Sequence, residues 1–162
     1  MKLNIINQSK ARIPNTFLKE WTEALVLVLK KKGFPRVLKD KELILVFLDP
    51  KPAKKLNQQF RGRDYATDVL SFDPIDPQSL GELVICPQVL KKQAIDHELS
   101  FNLELGYMVL HGVLHLLGFD HEESEERACE MFKLQDEIFD VISCRYVNNR
   151  RTTRSKTTTR KS

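Results

Sequence analysis

Histidine is scarce in this chain, with four in 162 residues, and three of the four lie in the stretch HGVLHLLGFDH, at His111, His115 and His121. His111 and His115 stand four apart in an apolar run that predicts a helix. Two such positions are roughly 40° apart around the helix axis, so both imidazoles leave one face, one turn apart. Rings placed this way can take neighbouring corners of a tetrahedral metal site. Gly118 follows and predicts a helix stop, because glycine adopts the left-handed conformation that a β-carbon resists. The chain then turns back, and His121 can reach the same ion as a third ligand. A lone buried histidine is ordinarily a hydrogen-bonded core residue. Without a metal, however, two imidazoles on an apolar helix would need separate polar partners, since burying them unsatisfied is costly.

Three neutral nitrogen ligands leave a fourth position open, which points to a catalytic rather than a structural metal. Zinc, one ion per chain, suits the donor set first, although three imidazoles also suit nickel or copper. Zinc so held lowers the pKa of a bound water to about 7. The spacing H-x3-H-x2-G-x2-H is also that of the metzincin proteases. Those enzymes carry a glutamate directly after the first histidine as general base. Here that position is Gly112, which accepts no proton and is expected to leave room for a bulky group beside the metal. Peptide hydrolysis recedes accordingly. The fourth histidine, His97, stands in the polar segment AIDHELS and reads as a surface residue.

The elements that must position these side chains are legible from periodicity. KLNIIN (2–7) reads as a first strand. Phe17, Trp21, Leu25, Val28 and Leu29 form a helical stripe after Pro14 and a possible cap at Thr16, closed by Lys30–Lys32 and Gly33. ELILVFL (42–48) is a buried strand, followed by a short helix from about Pro52 to Phe60 that ends near Gly62. DVLSF (68–72) and GELVIC (81–86) are two further strands joined by the proline-rich loop DPIDPQSL. A helix follows from Pro87 to about His97, and Ser100 can cap the next, apolar almost all round from Leu103 to Leu117. A last amphipathic helix begins near Ser124, with Ala128, Met131, Phe132, Gln135, Ile138, Phe139 and Ile142 as its buried stripe. The order predicts an α+β fold: a single domain with a small mixed β-sheet of about four strands, packed with about five helices. The metal site falls at the end of the central helix. Residues 1–146 are expected to form the domain, and residues 147–162 a basic, disordered tail with little to bury.

Composition narrows the setting. The chain is 41% hydrophobic, enough for a real core at this length. No stretch has the make-up of a signal peptide, and the most apolar run, residues 105–119, is too short to span a bilayer. The expectation is a cytoplasmic protein without a membrane association. Cys86, Cys129 and Cys144 are odd in number and include no CxxC pair, so they read as reduced thiols, with Cys86 and Cys129 in the core. The net charge is +4, unevenly spread. Lys30–Asp64 holds eleven basic residues against four acidic ones, and Arg145 onward holds seven basic residues and no acid. Such fields suit a polyanionic partner.

HGVLHLLGFDH resembles the signature of the YbeY family, bacterial zinc endoribonucleases of ribosomal RNA maturation. LNQQFRGRDYATDVLSF (56–72) is similar to the family block in which an Arg-Gly pair precedes Thr-Asp-Val-Leu-Ser-Phe, and GELVICPQVL (81–90) to its next strand and helix start. The likeness runs in order from about Leu43 to Ile142. It implies zinc on His111, His115 and His121, and endonucleolytic cleavage of single-stranded RNA in 16S rRNA processing, ribosome maturation and 70S ribosome quality control. The implied partners are the rRNA precursor, the small ribosomal subunit and its assembly factors. The family's functionally important arginine maps onto Arg61, the implied catalytic and substrate-binding residue, with Arg63 as a second substrate-binding candidate. A guanidinium can hold a phosphate in a bidentate fork and stabilise charge developing on phosphorus. The sequence departs from the family at Ala66 and Asp73, where proline is common, at Glu82, where aspartate is frequent, and in the basic segment after Arg145. Two other readings stay open: a non-enzymatic zinc-containing factor for ribosome assembly or RNA binding, and a metalloprotease.

Overall fold

The apolar runs fold into four strands and five helices among the residues described by a computed structural model, which are 1–34 and 38–158, with 148–158 described by backbone alone. The elements are β1 (Lys2–Asn7), α1 (Asn15–Lys31), β2 (Glu42–Phe47), α2 (Pro50–Arg61), β3 (Val69–Phe72), β4 (Ser79–Ile85), α3 (Pro87–Asp96), α4 (Phe101–Leu116) and α5 (Glu125–Thr158). The strands form one sheet in the order β1-β2-β4-β3. β1 and β4 each pair parallel with β2, and β3 pairs antiparallel with β4, so the sheet is mixed, as expected.

Alternation along β2 decides which helices lie on which face. Leu43, Leu45 and Phe47 are fully buried with Leu83 and Ile85 of β4 under α1 and α4. Val46, Leu70 and Val84 point the other way, toward Ala53 and Leu56 of α2. α2 begins at Pro50 rather than Pro52, because proline fits the first helical turn, where its missing N–H breaks no helical bond. α1 begins at Asn15, so Thr16 lies inside the helix and does not cap it.

α4 is the central helix. Ser100 Oγ accepts the Leu103 N–H at 3.3 Å, which caps its start. At its end Gly118 N–H donates to His115 O (2.9 Å) and Phe119 N–H to Leu114 O (3.0 Å), with Gly118 at φ 93°. That pair of bonds is a Schellman stop, and it reverses the chain toward His121. Gly106 and Gly112 let α4 press against its neighbours: a β-carbon would stand 2.5 Å from the Trp21 indole at Gly106 and 2.6 Å from the Leu83 side chain at Gly112. The room expected beside the metal at Gly112 is therefore filled by the sheet. Gly112→Ala is expected to destabilise the fold by about 1–3 kcal/mol through overpacking against fully buried Leu83, measured as a lowered urea midpoint at unchanged slope.

α5 buries Met131, Gln135, Ile138 and Ile142, one stripe at helical spacing. Cys129 is exposed, contrary to expectation, because it sits two residues from Met131 and so on the far side of the helix. Phe132 is also exposed, at the edge of the stripe, while Cys86 is buried as expected. Helix α5 continues past residue 146 to Thr158 without an end at the expected domain boundary. The side chains of 148–158 and all of 159–162 lie outside the described residues, so the tail expected over 147–162 falls largely there. His97 is exposed and pairs its Nδ1 with the buried carboxylate of Glu104 at 3.0 Å, a hydrogen bond that raises its pKa. Among the described residues, no helix is long and apolar enough to cross a membrane.

Candidate metal centre and phosphate cleft

The last two turns of α4 and the reversal after Gly118 bring the three histidines together. One ring nitrogen from each lies within 4.8 Å of the others, and among the described residues this is the only such group of three or more potential ligands. His111 Nε2 and His115 Nε2 are 3.1 Å apart. Zinc–nitrogen bonds of about 2.0–2.1 Å in a tetrahedral site place neighbouring donors roughly 3.4 Å apart, so the rings are set close to ligating geometry. Asp120 helps to turn the chain: its carboxylate accepts the Glu122 N–H at 2.8 Å, which holds its pKa below the usual carboxylate value.

The donor set also has the right protonation chemistry. Burial lowers the pKa of both His111 and His115, and the neighbouring histidines push in the same direction. Both rings are thus held toward the neutral form, which ligates metals. His111 Nδ1 lies 2.9 Å from Gln135 Oε1. An amide oxygen only accepts, so Nδ1 carries the proton and Nε2 presents its lone pair toward His115. Two imidazole nitrogens facing each other at this distance either share a single hydrogen or point lone pairs at a common cation. Zinc fits this arrangement.

Gln135 is fully buried on α5 and orients His111, a candidate ligand, without being one itself. Its position was legible as the one polar residue in an apolar stripe, although its partner was not. Gln135→Leu is expected to weaken metal binding by roughly 10–100-fold, the usual cost of removing the residue that orients a metal-binding histidine. Chelator competition would measure this; an unchanged affinity would remove Gln135 from the site.

Arg61 is the last residue of α2, and Gly62 ends that helix in a left-handed conformation at φ 67°. Buried Asn57 ties the following loop back by donating to Tyr65 O at 2.8 Å. Arg61, Arg63 and Tyr65 consequently share a cleft of about 380 Å³ with His111, His115 and His121. Arg61 also lines an adjoining cleft of about 330 Å³ with Ser71, Asp73, His115 and Asp120. Its charge adds a small depression to the pKa of His111 and His115, behind burial and the neighbouring groups. Arg63 Nη1 donates to Tyr65 Oη at 2.9 Å, and that bond raises the guanidinium pKa.

Residue-by-residue reading of the sequence missed Asp68, which lines the same cleft. Its carboxylate accepts from Val69 N–H (2.7 Å), Thr67 Oγ1 (3.0 Å) and Gln93 Nε2 (3.1 Å), which pins it on the approach to β3. The signal available was its place in the TDVLSF block. The structure thus gathers two cations, the pinned carboxylate of Asp68 and three imidazoles around one opening. That opening can accept an anion with a metal at its back.

Comparison with known proteins finds relatives that match most of the chain. A family profile described as Endoribonuclease YbeY matches residues 4–143. An Endoribonuclease YbeY of Bdellovibrio bacteriovorus is 56% identical over 146 residues, covering 88% of this chain and 95% of its own length. Another from Mesoplasma florum is 35% identical over 158 residues, covering 90% and 89%. The solution structure of a Thermotoga maritima protein superposes with a TM-score of 0.64 at 31% identity, covering 91% of this chain and 93% of that one.

Proposed function

We propose that this chain, which belongs to the endoribonuclease YbeY family, is a zinc-dependent endoribonuclease acting on single-stranded RNA. The observation that carries this reading is the shared cleft, in which Arg61 and Arg63 face the three convergent histidines. His111, His115 and His121 would hold one zinc ion. When bound, zinc supplies a Lewis acid for the phosphodiester and a lowered pKa for water. Arg61 holds the phosphate by charge-assisted hydrogen bonds and offsets negative charge as it develops there. Arg63, steadied by Tyr65, binds the strand alongside. The peptidase reading has no support at position 112, where even a methyl group would meet Leu83.

The physiological setting is part of the proposal: 16S rRNA processing, ribosome maturation and 70S quality control in the cytoplasm. The rRNA precursor, small subunit and assembly factors would be partners. Residues 1–146 would form the catalytic domain, and the basic segment 147–162 would add affinity for RNA through its charge. The test is cleavage of a defined single-stranded RNA by purified protein, metal-depleted and then zinc-restored. Zinc-restored activity with discrete products is expected. Binding of RNA without any cleavage would favour the non-enzymatic assembly factor instead. Product ends identify the nucleophile: a 3′-hydroxyl marks attack by water, and a cyclic phosphate marks attack by the ribose 2′-hydroxyl.

A further inference from the structure

The chain has nine Phe, three Tyr and one Trp, and only three of these side chains are exposed: Phe60 at 58%, Tyr65 at 50% and Phe132 at 42%. Phe60 and Tyr65 stand five residues apart on either side of Arg61 and Arg63, and Phe132 comes from α5; Tyr65 lines the histidine cleft, Phe132 stacks on His121, which lines it, and Phe60 adjoins Arg61, which lines it. Phe60 precedes Arg61 on α2 and leans edge-on against Phe72, with centroids 5.0 Å apart. Tyr65 lines the cleft itself, its hydroxyl held by Arg63. Phe132 lies nearly parallel to His121, at 5.4 Å and 25°. Leaving an aromatic face in water forgoes its burial, so a grouping of such faces in one place marks a contact surface.

The chemistry around the rings identifies the contact. Cations at Arg61 and Arg63 suit a phosphodiester backbone, and the flat faces of Tyr65 beside Arg63 and of Phe132 beside His121 suit nucleobases. Base faces are available to a protein ring only where the strand is unpaired, because a duplex keeps them stacked internally. We propose that Tyr65 and Phe132 are stacking platforms, at the Arg63 wall and the His121 wall of the cleft, for unpaired bases flanking the phosphate at Arg61, with Phe60 extending the platform along α2. This inference rests on the endoribonuclease reading and adds what the enzyme grips. Recognition by face rather than by edge selects single strands and tolerates most sequences.

The test compares an intact single-stranded oligoribonucleotide with the same strand carrying abasic residues around the cleavage site. Binding and turnover are measured on the zinc-loaded full chain, with zinc content and melting temperature recorded for every variant. Tyr65→Ala and Phe132→Ala are each expected to weaken binding of the intact strand by roughly ten-fold. Removing the stacked base should cost the unsubstituted protein a similar factor and cost the matching variant almost nothing. Tyr65→Trp should retain the affinity. If each variant loses the same factor on intact and abasic strands, or loses none, the platform is overturned while RNA cleavage by the unsubstituted protein leaves the endoribonuclease reading in place. A zinc-loaded protein that neither binds nor cuts RNA would overturn both.

Discussion

His115→Ala is expected to abolish zinc retention and RNA cleavage together while the protein stays folded. Structural zinc binding is worth about 10–16 kcal/mol, so losing one of three ligands should lower affinity on the order of a thousand-fold or more. His115 is the informative choice among the ligands. It is half-buried near the C-terminal end of α4, and its ring nitrogen lies against that of His111. His111→Ala would also leave the Gln135 carbonyl without its partner inside the protein. An unsatisfied buried acceptor costs about 1–3 kcal/mol, so that variant confounds metal loss with destabilisation. The measurement is a thermal melt with and without zinc, beside a cleavage assay. The unsubstituted protein should gain melting temperature with zinc, because a ligand that binds only the folded state stabilises it. His115→Ala should melt near the zinc-free protein and gain nothing. Cleavage by this variant at an undiminished rate would remove the metal from the reaction.

How far the centre could be read from the residues depended on whether the information was local. The Schellman stop at Gly118 was legible because a helix end is decided by the conformation of a single residue. The continuous apolar run of β2 likewise announced a strand covered on both faces, and helices lie on both. Gly112 was legible as the loss of a protease base but misleading as a space beside the metal. Its missing side chain serves the approach of α4 to Leu83, a contact made across the fold by a residue 29 positions earlier. The stripe on α5 was drawn too wide for the same reason. An apolar residue at its edge can face either the core or an opening, and only the packed neighbours decide which. Phe132 turned out beside His121, and Cys129 faced solvent. Arg61 shows the opposite limit. Alone it reads as a surface residue after a helix, and it is exposed; its significance lies in the cleft it shares with histidines fifty or more residues away.

Arg61→Ala is expected to lower the cleavage rate by roughly 10²–10³ while zinc content and stability stay unchanged. The separation follows from placement. Arg61 is exposed at the end of α2 and contributes nothing to the core, so its loss leaves no cavity and no buried partner unsatisfied. Under the proposed reaction, what disappears is the guanidinium that would hold the phosphate, whose effect grows as charge accumulates in the transition state. The fall should therefore appear in kcat more than in KM. Arg61→Lys should recover only part of the rate, because an ammonium brings the charge without the planar two-pronged fork. Arg63→Ala should do less to kcat and more to strand affinity, since its guanidinium is already engaged by Tyr65. A steady-state comparison of the three variants at fixed salt separates these roles. Equal falls in kcat for Arg61→Ala and Arg63→Ala would mean that neither arginine is aimed at the reacting phosphate. A fall in KM-type binding alone for Arg61 would reduce it to a strand-holding residue. The distinction bears directly on the non-enzymatic alternative: a metal that only shapes an RNA-binding surface gives no reason for one cleft arginine to matter to turnover while its neighbour matters to binding.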